Sequence, residues 1–456
     1  MDFIVRYWCG EVVLMFTKIT LRNFRSFDYL VFDLSKRGTS AKNLAVVFGE
    51  NGIGKSNLMS AFVLLNELLD TMRVRESYEE FLSQKAIFTD ESLEKALRQQ
   101  IISGIRDMQS IINDYRMVGC DEPLSVDYEF QIAGSTGTYS IMIGESEILH
   151  ERLEYQLNQR KGVYFDCTRE KIQINPGIVS NKGLLSDIKE AAKRFWGKHS
   201  ILAIVMHEFD DKSKAYGQDS ISPNFNRVFV EFSTLSCQVG IGRRSWSSLE
   251  APTAVFENAI EGKINRSEEK QLDLAEKIFS QVFSAINSDY NSLYYQRDYT
   301  EKSVSYRLFV KKQIAGIIRD IDFRKESTGN HQIVNVICYL LSACFGTTVV
   351  MDEADSGIHD ILFQKILQEA LPHINGQVII ATHNTMLMQA SFARESTYIL
   401  KEEEDGSKTV KCVSNSEKRV YLNNNIRNKY LNNEYGGLPS VRPIDFEALV
   451  TLLQKG

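Results

Sequence analysis

The stretch FGENGIGKSNLMSAF, residues 48–62, decides how this chain is read. Gly49, Gly54, Lys55 and Ser56 spell G-x-x-x-x-G-K-S. The apolar run LAVVF (44–48) before it reads as a buried strand. Behind it Leu58, Ala61, Phe62, Leu65, Leu68 and Leu69 recur at helical spacing. Strand, glycine loop and helix form the context in which this spacing predicts a phosphate-binding loop. The glycines let the backbone turn so that consecutive N–H groups face phosphates, and the helix starting at Lys55 adds its positive end. Lys55 then supplies a cation for the β- and γ-phosphates, and the Ser56 hydroxyl is a ligand for Mg²⁺.

Composition bounds what surrounds this loop. A chain of 456 residues has room for about three domains, or one domain with large insertions. Hydrophobic content of 43% and charged content of 25% are ordinary for a globular protein with a sizeable core. The net charge of −6 gives no overall attraction to nucleic acid and leaves room only for a local basic patch. Seven cysteines without a C-x-x-C pair point to reduced thiols in a cytoplasmic protein, and Cys338 and Cys344 read as packing residues. No apolar run reaches transmembrane length, so no membrane partner is expected. Residues 1–14 carry Asp2 and Glu11 and lack a small-residue cleavage site, which makes a poor signal peptide. Met15 opens MFTKITLRNFRSF and reads as an alternative start, with residues 1–14 as an upstream extension.

Along the chain, FTKITLRNF (16–24) and LVFDL (30–34) read as strands, and the helix after the glycine loop runs to about Met72. Leu93, Leu97, Ile101, Ile105, Met108, Ile112 and Tyr115 step along one face of an amphipathic helix, either packed on its own domain or forming an arm. SVDYEFQIAG and TGTYSIMIGE (125–145) form a strand pair containing Gln131, in the simpler reading a surface glutamine and in the sharper one a candidate Mg²⁺ contact. Residues 146–300 mix strand and helix, with no internal repeat. From SVSYRLFVKK (303–312) a regular α/β pattern returns. TTVVMDEADSGIH (347–359) delivers Asp352 and Glu353 to the carboxyl end of an apolar strand, where ligands bind in open α/β sheets. Asp352 suits Mg²⁺, and Glu353 suits orientation and deprotonation of an attacking water. GQVIIATHNTML (376–387) ends in His383, a candidate γ-phosphate contact. Taken singly, these acids could cap the next helix and the histidine could be structural. The upstream phosphate loop favours the functional reading. STYILK and TVKCV flank EEEDGS (402–407), a hairpin whose acids are the solvated tip of a turn.

In order and spacing these motifs resemble the ATP-binding-cassette class of P-loop ATPases, and more narrowly its RecF, structural-maintenance-of-chromosomes and overcoming-lysogenization-defect group. ITLRNFRSF (19–27) resembles the opening strand of that group. GENGIGKSN (49–57) resembles its Walker A motif, which brings Asn51, Gly52 and Asn57 into the nucleotide loop and Asn51 near the γ-phosphate. ESTGNHQ (326–332) stands in the place of the signature loop, with Ser327 and Gly329. DEADSGIH (352–359) resembles Walker B plus D-loop, and ATHN (381–384) the histidine switch. NIRNKYLNNEYGGLP (425–439) resembles a tail of stand-alone ATPases from prokaryotic antiviral defence systems. The signature loop has fewer glycines than in transporter cassettes, and the insertion is too short for a long coiled coil. No motif of a fused nuclease is visible.

The resemblance implies an α/β ATPase head with a mixed β-sheet and P-loop, interrupted by a mostly helical insertion. The expected segments are a first head part (15–72), a helical insertion (73–123), a head hairpin (124–150), a helical and mixed insertion (151–302), a second head part (303–440) and a tail (441–456). It implies ATP and Mg²⁺ as ligands and a homodimer or higher homo-oligomer through the heads. Lys55, Ser56 and Asp352 of one copy would hold Mg·ATP, with Ser327 and Gly329 of the other at its γ-phosphate. The expected role is a sensor or scaffold ATPase of an antiphage defence system, answering a phage-derived trigger and controlling a separately encoded effector, with a nuclease as the favoured kind. Two alternatives stand beside it: a RecF-like repair ATPase that binds DNA directly, and a nucleotide-binding scaffold with negligible turnover.

Overall fold

The computed structural model describes residues 13–36, 40–83, 107–157, 159–216, 220–242, 244–416, 425–438 and 444–455. In chain order its strands are β1 (Leu14–Phe24), β2 (Phe27–Asp33), the short β3 (Ser35–Lys36) and β4 (Ser40–Ala41), β5 (Leu44–Phe48), β6 (Leu124–Ile132), β7 (Ser135–Ile143), β8 (Ile148–Leu157), β9 (Arg160–Thr168), β10 (Ile172–Ile174), β11 (Ser236–Ile241), β12 (Arg244–Ser248), β13 (Glu261–Asn265), β14 (Tyr290–Tyr299), β15 (Ser303–Ile314), β16 (Ile317–Asp322), β17 (Thr348–Asp352), β18 (Gln377–Ala381), β19 (Thr397–Glu402) and β20 (Lys408–Cys412).

The central sheet has the order β12-β11-β17-β18-β5-β19-β20. Its five inner strands are parallel, and the two edges are antiparallel. Strands buried on both faces need unbroken apolar runs, and LAVVF and QVIIA are buried at every position. Alternate residues feed two cores. Ala45 and Val47 join the core shared with the helix Lys55–Ser83, while Leu44, Val46 and Phe48 join the core shared with the helix Thr328–Cys344.

A second, antiparallel sheet of order β10-β9-β8-β7-β6-β1-β2 covers the other side of the Lys55–Ser83 helix. That helix is sandwiched between two sheets, so residues 58–69 are all buried, rather than only the stripe expected from periodicity. Phe62 packs edge-on against Phe16 of β1 at 5.2 Å. The Tyr128 hydroxyl of β6 donates to the Ala61 carbonyl at 2.5 Å. Gln377, fully buried, joins the two sheets: its amide donates to the carbonyls of Phe16 (3.0 Å) and Lys42 (2.8 Å) and accepts from Phe16 N–H (2.9 Å).

The expected segment borders need correction in four places. The helix continues past Met72 to Ser83. The border at 150 falls inside β8, because the strand pair of residues 124–150 is part of a seven-stranded sheet that runs on to Ile174. Residues 151–302 are not only an insertion, since β11 lies in the central sheet beside β17, the strand that ends in Asp352. The border at 302 cuts the hairpin β14–β15, which belongs to a third, four-stranded sheet rather than to the α/β head. Of the amphipathic helix read from Leu93 to Tyr115, Met108–Tyr115 is helical and residues 84–106 lie outside the described region. β1 starts at Leu14, which is buried and paired with Ile132, one residue before Met15.

Candidate active site

Three parallel strands end side by side at one edge of the central sheet: β17 in Asp352, β18 before His383, and β5 in the glycine loop. The loop is compact because its glycines allow close approach. A Cβ on Gly49 would lie 2.6 Å from the Leu400 carbonyl oxygen, and Gly54 has φ +117° with the Phe27 ring and the Ser26 hydroxyl at 3.0 Å from its would-be Cβ. Lys55 is buried and its Nζ donates to the carbonyls of Gly49 and Glu50, both at 3.0 Å. Burial lowers its pKa, and the carboxylates of Asp352, Glu353 and Glu50 pull the other way. The cation therefore sits among the acids that the sequence placed 300 residues downstream.

Asp352 faces the loop. Burial is the largest influence on its carboxyl and, with Glu353, pushes its pKa up, while the neighbouring Ser56 hydroxyl, the Gly240 backbone of β11 and Lys55 pull it down. Its Oδ1 is buried and has no hydrogen-bond partner. A buried, unbonded carboxylate oxygen beside a serine hydroxyl is the hard-oxygen donor set that Mg²⁺ takes when phosphate oxygens complete the shell. Ser56 and Asp352 thus fit the metal. Among the described residues no group of three or more His, Cys, Asp or Glu side chains could hold a metal ion.

Glu353 is exposed beside Asp352 and adopts a left-handed φ of +49°. Its N–H donates to the Ala381 carbonyl at 2.9 Å, which ties the two strand ends together. His383 is lowered by burial and by Lys55, and Glu353 and Asp355 oppose the shift. The loop around it is fixed: Thr382 donates to Asp355 at 2.8 Å, and the Asn384 side chain donates to the Asp360 carbonyl at 3.0 Å. Lys55, Ser56, Asp352, Glu353 and His383 are thereby brought together. Asn51 and Gly52 are exposed at the loop tip.

Four expected site residues make other contacts within this chain. Gln131 pairs with Met15, nine residues along β1 from Phe24 at the β1–β2 turn. At about 3.3 Å per residue that puts it roughly 30 Å from the turn that touches the glycine loop, too far for a Mg²⁺ contact. The Asn57 amide donates to the Ser26 hydroxyl beneath the loop at 2.7 Å. Gly329 is buried against the loop that follows β17, where a Cβ would lie 2.3 Å from the Gly357 carbonyl oxygen, so within this chain it serves close packing. Ser327 caps the helix Thr328–Cys344 through Asn330 N–H at 3.2 Å and stays exposed.

Other parts of the site were missed by sequence reasoning. Ser26 and Phe27 of the β1–β2 turn form the floor under Gly54 and Asn57. Gly240 of β11 lies against Asp352, whose Oδ2 is 3.7 Å from where a Cβ on that glycine would stand. The tail flanks the site: Arg427 donates to Thr385 at 3.0 Å, and the Tyr430 ring lies 6.1 Å from that of Phe48. The RSF run after ITLRNF was a usable signal for the first; nothing in SCQVGIG marks the second.

No known protein family matches the sequence, and no curated protein does. Several solved structures are similar in fold at low identity. An SmcHead bound to the C-winged helix domain of ScpA is 14% identical over 88% of this chain and 99% of that one, with a TM-score of 0.40. The SMC head domain from Thermotoga maritima is 14% identical over 87% and 98%, with a TM-score of 0.37. The recombination mediator protein RecF, in the structure of RecF-ATPrS in the RecFOR pathway, is 12% identical over 88% and 99%, with a TM-score of 0.36. Likeness at this level leaves the function to be argued from this chain's own residues. Among the described residues no helix is long and apolar enough to cross a membrane.

Proposed function

We propose that this chain binds Mg·ATP at the carboxyl edge of the central sheet and hydrolyses it. The observation that carries this reading is Asp352 Oδ1, buried and without a hydrogen-bond partner at the strand end beside Ser56, Lys55 and Glu353. Lys55 would exchange the Gly49 and Glu50 carbonyls for phosphate oxygens. Bound Mg²⁺, held by Ser56 and Asp352, supplies neutralisation of the charge that develops on the phosphates. Glu353, exposed at the strand end, takes the proton of the water that attacks the γ-phosphorus while the bond to the β-phosphate oxygen breaks. Burial and Lys55 bias His383 toward its neutral form, in which its ring would offer a hydrogen bond to the γ-phosphate. Measured ATP hydrolysis tests this. Loss of turnover in Glu353→Gln with nucleotide binding kept is the expected result, and unchanged hydrolysis in that variant would favour the scaffold without turnover.

In the wider role, two heads would enclose the nucleotide, with exposed Ser327 and the helix start behind it meeting the γ-phosphate of a second copy. The favoured setting is antiphage defence, in which ATP holds a separately encoded effector until a phage component triggers release. Its support is the tail resemblance and the seat of that tail beside the histidine loop, through Arg427 and Thr385. Tagged Glu353→Gln, co-expressed with its genomic neighbours and purified with ATP, should retain a second protein. Salt-sensitive DNA binding that needs ATP, with no protein retained, would favour the RecF-like repair reading.

A further inference from the structure

On the face of the central sheet opposite the Lys55–Ser83 helix, three helices leave an apolar trough of about 630 Å³. Val282 and Ile286 line it from the helix Lys270–Ile286, Ile337 and Leu341 from Thr328–Cys344, and Leu362 and Ile366 from Asp360–Ala370. Each helix contributes a pair spaced by four, so each turns one ridge toward the same space. Lys365 and His373 stand at its edge with Glu369. A trough walled by three helical ridges has the shape that a fourth helix fills.

The same chain carries a helix without a seat. In Phe446–Lys455 the residues Phe446, Leu449, Val450 and Leu453 follow i, i+3, i+4, i+7, the spacing of helix-in-groove anchors. They are strongly exposed, Phe446 at 69% and Leu453 at 84%. Asp445 and Glu447 stand at the start of this helix, and Lys365 is the cation among the residues lining the trough, beside Glu369. Its 10 residues span about 15 Å, a length suited to two-turn ridges. In the single chain, trough and helix are both left open.

We propose that the C-terminal helix of one copy lies in this trough of a second copy, and that the exchange is reciprocal. A reciprocal exchange fills both troughs and closes as a two-fold dimer. It uses neither Lys55 nor Asp352, so it forms without nucleotide and is separate from any ATP-dependent pairing of heads.

The test is the mass of the full chain in solution at micromolar concentration without nucleotide, by light scattering. Wild type is expected as a dimer. Val450→Asp with Leu453→Asp, on a helix exposed outside the core, is expected as a monomer with an unchanged melting temperature. Leu362→Arg at the trough is expected to give the same monomer, and its melting curve shows whether the fold survives. Mixing the tail variant with the trough variant should restore a dimer, because one intact helix meets one intact trough. A monomeric wild type, or a dimer that persists in Val450→Asp/Leu453→Asp, would overturn the proposal.

Discussion

Glu151 and Asp352 are both carboxyl groups pushed upward by burial, yet the protein treats them differently. Glu151 of β8 is fully buried and saturated. Its Oε1 accepts from the Tyr139 hydroxyl at 3.0 Å, and its Oε2 accepts from the Trp196 indole N–H at 3.2 Å and the Ile201 N–H at 2.8 Å. Even so, its pKa rises to about 7. Asp352 lies beside Ser56 and the Gly240 backbone and leaves Oδ1 buried and unbonded. A saturated acid ties elements together: here the antiparallel sheet to the end of the helix Lys182–Phe195 and the start of the helix Ile201–Tyr216. An unsaturated one is shaped for something that the chain does not itself contain.

The largest effect expected from this contrast is on turnover. Asp352→Asn should lower ATP hydrolysis by roughly a hundred- to a thousandfold, measured as phosphate release. Its melting temperature should hold or rise, since a desolvated charge is removed. A sharp fall in stability would mean that Asp352 is structural like Glu151.

The converse applies to Glu151→Ala, which strands three buried donors. It should destabilise the fold by about 3 kcal/mol in urea melts while leaving hydrolysis per folded molecule unchanged. The pH dependence sharpens the point. The folded state holds the Glu151 proton up to about 7 and the unfolded state only to 4.5, so this group's contribution is full below 4.5 and is lost as pH rises through 7. The wild-type stability curve should therefore fall across that window more steeply than that of Glu151→Gln, by about 3 kcal/mol in total.

A smaller effect belongs to Gly329→Ala. The added methyl meets the Gly357 carbonyl at 2.3 Å, so the helix start and the loop that follows β17 must separate, at a cost of about 1–3 kcal/mol in thermal unfolding. A neutral substitution would show that the two loops already move apart freely. The smallest is a flat profile: His383 is held below 6.5, so kcat should change less than about twofold as pH falls from neutral to 6.5. A steep loss over that range would mean that His383 works as a cation.

The parts of this molecule that sequence alone made legible are those where one local pattern carries both fold and chemistry. LAVVF, the glycine loop and the helix behind it form a continuous unit, and VVMDE and VIIATH show buried strands by their unbroken apolar runs. What escaped was set by pairing at long range. Gln131 sits on a strand that was recognised, but only the register with Met15 shows that it lies at the wrong end. SCQVGI is short and interrupted by Gln238, so nothing local tells that it lies beside β17 in the main sheet. Asn57 and Gly329 fit their motifs in type, and tertiary contacts with Ser26 and Gly357 assign them other work.

The most direct test of the central claim is ATP-dependent binding of Mn²⁺, as a spectroscopic substitute for Mg²⁺, followed by electron paramagnetic resonance in wild type and in Asp352→Asn. If Ser56 and Asp352 hold the metal with the nucleotide, wild type takes up Mn²⁺ when ATP is present and the variant binds it at least about tenfold more weakly. Equal Mn²⁺ affinity in the two proteins would contradict the assignment of Asp352 Oδ1 as a metal ligand.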